Sequence, residues 1–458
     1  MVSLPAGLSA ALTDVVGPGH VLTDPEVTAS YVTDWTGRFV GTTPAVVRPA
    51  TTEEVAGVVE AVRRFGVAVT VQGGNTGLVG GSVPLGGEVV VSLGRLRALE
   101  PVDQLAGQVT VGAGVTVADL ARAAAGAGWA YGVDLASRGS ATVGGTVATN
   151  AGGLRVLRYG DTRAQLLGVE AVLGTGAVVS HLSGLLKDNT GYHLASLLCG
   201  SEGTLGLVTA ARLRLVAPTP ERVVAMLAFA GPGPAVAAAA ALRRDVGDLL
   251  AAELFLASGL ALVRRVRSLA APFPAEHAAY LLVEAGSTGD PAPGLASAID
   301  SLASVEAVAV ATDSVRAAEL WRYREDHTEA INTEGPPHKL DVTLPAGALA
   351  EFIERVPGTV VAVAPTAHCW LFGHAADGNV HVNVTGVDPA DERVDGAVLE
   401  LVAAYGGSIS AEHGIGTAKR RWLALNRSPA EIDTFRAVKG ALDPDGVLNP
   451  GVLLPEVG

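Results

Sequence analysis

Gln72-Gly-Gly-Asn-Thr-Gly-Leu-Val-Gly-Gly-Ser-Val-Pro84 is the stretch on which the fold of this chain turns. From Val71 to Gly87 it has no charged residue and no His. Its glycines let a backbone come close to a ligand, and its N–H groups suit an anion such as a pyrophosphate. A nucleotide-triphosphate loop is excluded because the Lys that motif needs is missing. Gly112-Ala-Gly114 is no dinucleotide fingerprint either, since Val117 occupies the third glycine position. A flexible turn cluster is the plain alternative, but the loop sits between apolar strands, where linkers are seldom found. Upstream, Val67–Val71 reads as a strand, preceded by a helix that starts at Thr51 with Glu54 as capping partner. Residues 3–16 read as an amphipathic helix with Leu4, Leu8, Leu12 and Val15 on one side.

Downstream, strands are expected at Glu88–Leu93 and Gln108–Val111, then a helix from about Thr116. Small residues return in Ser137–Gly153, and Val169–Leu173 with Ala177–Ser180 reads as a hairpin. Lys187–Tyr192 leads into Gly200–Gly206 and a strand running to Val216. These four small-residue segments suggest one extended cofactor crevice. Pro218-Thr-Pro220 marks a boundary. Beyond it, strands are expected at Val223–Phe229, Tyr280–Glu284 and Val305–Ala311, and helices at Ala235–Arg244, Glu253–Val266 and Ser314–Asn332. The pattern suggests an antiparallel sheet covered by helices.

With 458 residues the chain has room for two or three domains. A net charge of −14 disfavours nucleic acid and means that an anionic substrate needs local cations. Cys199 and Cys369 are too few for a disulfide framework or an iron–sulfur cluster. Neither a membrane span nor a signal peptide is read, so a cytoplasmic protein is expected, with peripheral membrane attachment left open.

A second decisive stretch is Phe372–Val384, FGHAADGNVHVNV, where Asp377-Gly378 joins two strand-like runs into a hairpin. Alternation puts His381 and Asn383 on one face and Val380, Val382 and Val384 on the other, with His374 able to reach the side of His381. Two imidazoles on rigid strands suit zinc, although ordinary polar hairpin residues would read the same. Glu412 offers a third ligand and His413 a base. Trp321, Arg324, Thr328 and Ile331 recur at one-turn spacing, and Lys339, Asp341 and Thr343 share a strand face.

QGGNTGLVGG, GSATVGGTVATNAGG, KDNTGY and GSEGTLGLVT together resemble the FAD-linked oxidases of the vanillyl-alcohol oxidase and p-cresol methylhydroxylase superfamily. RYREDHT (322–328), KLDVTLP (339–345), GHAADGNVHVNV (373–384), AEHGIGTAKR (411–420) and DPDGVLNPG (443–451) resemble its D-2-hydroxyacid dehydrogenase branch. The resemblance implies an α+β fold: a two-part FAD-binding domain (1–218 and 406–458) and a cap, or substrate, domain with an antiparallel sheet (219–405). It implies FAD contacts at Gln72, Gly73, Gly74, Asn75, Thr76 and Gly77, at Ser140, Thr142, Gly144, Gly145, Asn150 and Gly152, and at Glu202, Gly203, Leu207 and Asn449. Members with covalent flavin often carry His where this loop has Asn75, so the FAD is expected to be dissociable.

The same resemblance implies that His374, His381 and Glu412 bind a divalent metal, commonly zinc, and that His413 is the base. Arg324, Thr328, Lys339 and Asn383 would hold substrate. The expected reaction is oxidation of a D-2-hydroxy acid to the 2-oxo acid by hydride transfer to flavin N5. D-2-hydroxyglutarate is the first expected substrate, because two desolvated cations, Arg324 and Lys339, ask for a second carboxylate. D-lactate or glycolate is the alternative, and a non-catalytic flavin-binding subunit a further one. Electrons would leave to an electron-transfer flavoprotein or a quinone-linked carrier, and a homodimer is left open. His193, and Ala375-Ala376 in the hairpin, depart from the branch pattern without touching an implied ligand.

Overall fold

The computed structural model describes residues 4–456. They form two compact units, one running to Ala217 and resumed at Glu412, the other Pro218–Ala411. In the first unit, Leu8 and Leu12 of the helix Leu8–Val16 enter the same core as the helix Thr52–Arg64. The first helix starts later than the expected 3–16, because Gly7 is left-handed (φ 88°) just before it; Ser3 lies outside the described residues. The Thr51 hydroxyl accepts from the Glu54 N–H at 3.1 Å, and the Glu54 carboxylate accepts from the Ala50 N–H at 2.7 Å. That fixes the second helix start where the capping signal put it.

Four short strands, β1 (Val21–Leu22), β2 (Val46–Val47), β3 (Val69–Gln72) and β4 (Val89–Ser92), form a sheet in the order β1-β2-β4-β3. β2 and β3 run parallel to β4, and Val89, Val90 and Val91 are fully buried, as a parallel sheet with both faces covered requires. A second, antiparallel sheet orders β5 (Gln108–Gly112), β6 (Leu166–Leu173), β7 (Val178–His181) and β8 (Gly206–Arg214) as β5-β8-β6-β7. The end of the chain returns to β3: the Val69 N–H donates to the Val447 carbonyl and the Asn449 N–H to the Val69 carbonyl.

The second unit is a seven-stranded antiparallel sheet. Its strands are β9 (Glu221–Phe229), β10 (Leu249–Leu256), β11 (Ala279–Ser287), β12 (Ala307–Ala311), β13 (His338–Thr343), β14 (His368–His374) and β15 (Asn379–Thr385). They lie in the order β12-β9-β11-β10-β14-β15-β13. Met226, Phe255, Leu282 and Phe372 share a core with Leu260 and Val263 of the helix Ala257–Arg267, and with Ala330 and Ile331 of the helix His327–Asn332.

Two further helix expectations are corrected. Glu253–Val266 is not one helix: Glu253 lies in β10, and the helix begins at Ala257. β10 is central, between β11 and β14, and buried on both faces, so it has no period-2 pattern to read. The helix expected over Ser314–Asn332 is divided at Asp326 into Ser314–Glu325 and His327–Asn332. The chain leaves this unit later than residue 405, because Ser408 pairs with Thr343 and the Ala411 N–H donates to the Asp341 carbonyl at 3.3 Å.

Candidate functional site

Strand register builds a polar row on one face of the second unit. His374 stands opposite Glu253 of β10, Phe372 opposite His381, His381 opposite Asp341, and Asn383 opposite Lys339. Cross-strand neighbours share a face, so these residues meet although they come from four strands. The His374 and His381 rings are 5.4 Å apart between centroids. Val382 and Val384 point into the opposite core, both fully buried.

Each imidazole has its own carboxylate. His374 Nδ1 lies 2.6 Å from Glu253 Oε1, and His381 Nδ1 lies 3.3 Å from Asp341 Oδ1. Burial alone would raise the Glu253 carboxyl, but the charges of His374 and Arg324 outweigh it and hold it below the usual range. An ionised carboxylate only accepts, so His374 Nδ1 carries the hydrogen, and in the neutral ring the lone pair is on Nε2. Asn379 steadies Asp341 by donating to its Oδ1 at 2.7 Å and to the Val342 carbonyl at 2.9 Å.

Arg324 is buried, with a terminal guanidinium nitrogen 2.7 Å from Glu253 Oε2 and its guanidinium carbon 4.5 Å from the centre of the Phe372 ring. It therefore already has an anion, which removes half of the two-cation case for a second substrate carboxylate. Lys339 is half-buried, and burial pushes its ammonium down to about 8. Asn383 is buried beside it in register, and Thr328 is half-buried in the helix His327–Asn332. His327 packs between Phe255 and Phe372, at 5.3 Å and 5.1 Å between ring centres, and burial pushes it down to about 3, so it stays neutral. Sequence reasoning missed Glu253 altogether and gave Asp341 no role. A lone acid in the apolar run Leu249–Leu256 was the signal for Glu253.

In the first unit the glycine-rich segments converge. A methyl group on Gly74 would lie 2.0 Å from the Ser140 carbonyl oxygen, and one on Gly73 would lie 2.4 Å from the Thr142 hydroxyl. A methyl group on Gly144 would lie 2.6 Å from the Ala113 Cβ, and the Gly145 N–H donates to the Thr142 hydroxyl at 3.3 Å. Leu207 is fully buried at the start of β8. The loop is braced by side chains: Gln72 donates to the Tyr31 and Ser82 carbonyls, both at 2.9 Å, and Asn75 to the Thr33 carbonyl at 2.8 Å. Among the described residues, the backbone N–H groups of Gly73, Gly74, Asn75, Thr76 and Gly77 have no protein acceptor. A run of such donors in an uncharged loop fits a diphosphate.

Asn75 (φ 52°), Asn150 (φ 51°), Glu202 (φ 52°) and Asn449 (φ 42°) are left-handed, a conformation that costs most at Glu202. Asn150 donates to Asp161 at 2.7 Å, and Asn449 accepts from the Val71 N–H and donates to the Glu202 carbonyl, both at 2.7 Å. A methyl group on Gly203 would strike that Asn449 amide at 2.7 Å. Burial pushes the Glu202 carboxyl up, while the N–H groups of Ile415 (2.8 Å) and Gly416 (2.7 Å) pull it down. The Glu412 carboxylate accepts from the Gly153 N–H at 2.8 Å, and a methyl group on Gly152 would lie 3.0 Å from the same carboxylate. His413 follows, half-buried. Lys187–Tyr192 is exposed: Asp188 pairs with His181 at 2.9 Å, and Tyr192 is 98% exposed.

Residues 43–181 match the FAD binding domain family, and residues 219–453 match the C-terminal domain of FAD linked oxidases. The chain is 37% identical to the mitochondrial D-2-hydroxyglutarate dehydrogenase of Bos taurus, over 97% of this chain and 83% of that one. It is also 37% identical to the D-2-hydroxyglutarate dehydrogenase of Xanthomonas citri pv. viticola, over 97% and 96% respectively. The fold matches a crystal structure of p-cresol methylhydroxylase with substrate bound, with a TM-score of 0.78, 16% identity and 98% coverage of both chains. No helix among the described residues is long and apolar enough to cross a membrane.

Proposed function

Since the chain belongs to the FAD-linked oxidases and is an FAD-dependent dehydrogenase, we propose that it oxidises D-2-hydroxyglutarate to the 2-oxo acid. The observation that carries this reading is the row that register assembles on one sheet face: His374, His381, Asn383 and Lys339. Two imidazole nitrogens with a carboxylate are a donor set that zinc takes. Glu412 supplies that carboxylate in this reading, as the likeness of AEHGIGTAKR (411–420) to the D-2-hydroxyacid dehydrogenase branch implies. FAD, when bound, accepts the hydride, and zinc, when bound, acts as a Lewis acid at the substrate hydroxyl.

The rest falls to the chain's own residues. His413 takes the hydroxyl proton, as an imidazole suits near neutral pH. Lys339 holds the far carboxylate as a point charge, and Asn383 and Thr328 orient the substrate. Arg324, already paired with Glu253, contributes its remaining donors. The FAD is held without a covalent bond, because Asn75 and its loop offer no His or Cys, so denaturation should free the yellow colour from the chain. The reduced flavin passes its electrons to an electron-transfer flavoprotein or a quinone-linked carrier.

D-lactate is the second reading, and the Arg324–Glu253 pair favours it, because one of the two cations already has a buried carboxylate. Anaerobic mixing with a panel of 2-hydroxy acids decides between them by the rate of flavin bleaching. Faster bleaching with D-2-hydroxyglutarate supports the first reading, and faster bleaching with D-lactate the second. No bleaching with any D-acid overturns both.

A further inference from the structure

We propose that Glu253 is a positioning residue that fixes, through its two oxygens, both the ligating face of His374 and the placement of Arg324. The inference rests on the metal reading above. Glu253 is 1% exposed, on the central strand β10, directly opposite His374. Its oxygens are divided: Oε1 lies 2.6 Å from His374 Nδ1, and Oε2 lies 2.7 Å from an Arg324 terminal nitrogen. One buried anion thus serves one imidazole and one guanidinium.

The chemistry of the acceptor determines the tautomer. A carboxylate cannot donate, so His374 must present N–H at Nδ1 and its lone pair at Nε2. A carboxylate behind a ligating imidazole also raises its basicity and locks the ring. On its other side the same carboxylate holds Arg324 above Phe372, whose ring lies 5.0 Å from that of His381. Arg324 Nε is buried with no hydrogen-bond partner among the described residues. The guanidinium is therefore held by one terminal nitrogen and its stacked face, with donor capacity still in hand. Glutamine is nearly isosteric but offers one acceptor oxygen and an NH2 group, so it cannot accept from His374 and Arg324 together, and serving both requires the other His374 tautomer.

The test uses the full-length, FAD-loaded protein, with zinc partitioned against a chelator of known affinity. Glu253→Gln is expected to weaken zinc binding by roughly 10–100-fold. It should also change the His374 ring-nitrogen signals in 15N NMR, a signature that a merely structural role would not move. Should Glu253→Gln fold poorly, the double variant Glu253→Met, Arg324→Met removes the buried charges together and should recover stability without recovering zinc affinity. Wild type that takes up no zinc overturns the metal reading and the inference with it. Wild type that binds zinc, with Glu253→Gln binding as tightly and showing the same His374 tautomer, overturns the positioning role and leaves the metal reading standing.

Discussion

Lys339 is the residue whose behaviour should be most visible in kinetics. Burial disfavours its ammonium, so the proton leaves at about 8 instead of the ordinary 10.5. Below that pH the charge is present and can hold a carboxylate; above it the charge is lost. The kcat/KM for D-2-hydroxyglutarate should therefore fall as pH rises through about 8, since kcat/KM reports the free enzyme. Lys339→Arg should move that fall to higher pH, and a profile identical to wild type would show that Lys339 does not hold substrate. The stability effect has the opposite sense. Between about 8 and 10.5 the unfolded chain binds more protons at this group, so its contribution rises with pH and its full cost applies below 8. His413→Asn should leave bound FAD in place and slow flavin reduction roughly 10²–10⁴-fold; an unchanged rate would move the base elsewhere. At this scale the sequence was uneven. His374 and His381 were legible because a hairpin alternates. Glu253 was not, because a strand buried on both faces shows no alternation and its neighbours are alanines and leucines.

Elements reveal why glycines cluster at the loop after β3. Gly74 is needed because the Ser140 backbone occupies the place of a side chain. Gly74→Ala should cost about 1–3 kcal/mol through overpacking and reduce FAD retention, read as a lower apoprotein Tm and faster loss of colour. Gly77→Ala, where a methyl group meets nothing within 4 Å, should leave the apoprotein Tm unchanged. Equal losses in both would mean that loop flexibility, not close approach, sets the requirement. The loop, the capped helix and the His374–His381 hairpin were legible because each carries a local signal: glycine spacing, a Thr-x-x-Glu box and Asp-Gly. The break at Asp326 was not, since no Gly or Pro marks it and the residues on either side keep helical spacing.

For the whole molecule, the first unit depends on residues from both ends of the chain. Asn449 binds the Val71 N–H and the Glu202 carbonyl, and it is buried and left-handed. Asn449→Ala should destabilise that unit by about 1–3 kcal/mol for each buried group left unpaired, with added strain at φ 42°. Asn449→Gly should be milder, because it relieves the backbone while losing the same bonds. Chemical denaturation followed by flavin fluorescence separates the two, and equal midpoints would remove the backbone component. That the chain returns to β3 is written in no local pattern, because it depends on a pairing between residues 69 and 448.

This return has a consequence for the order of events at the ribosome. The second unit is encoded without interruption, so all its strands have emerged while the partner of Val69 has still to be translated. A nascent chain exposed as far as Ala411 can close its seven-stranded sheet but not the flavin unit that was begun first. The part started earliest is then finished last, and FAD can be enclosed only once the final segment has left the exit tunnel.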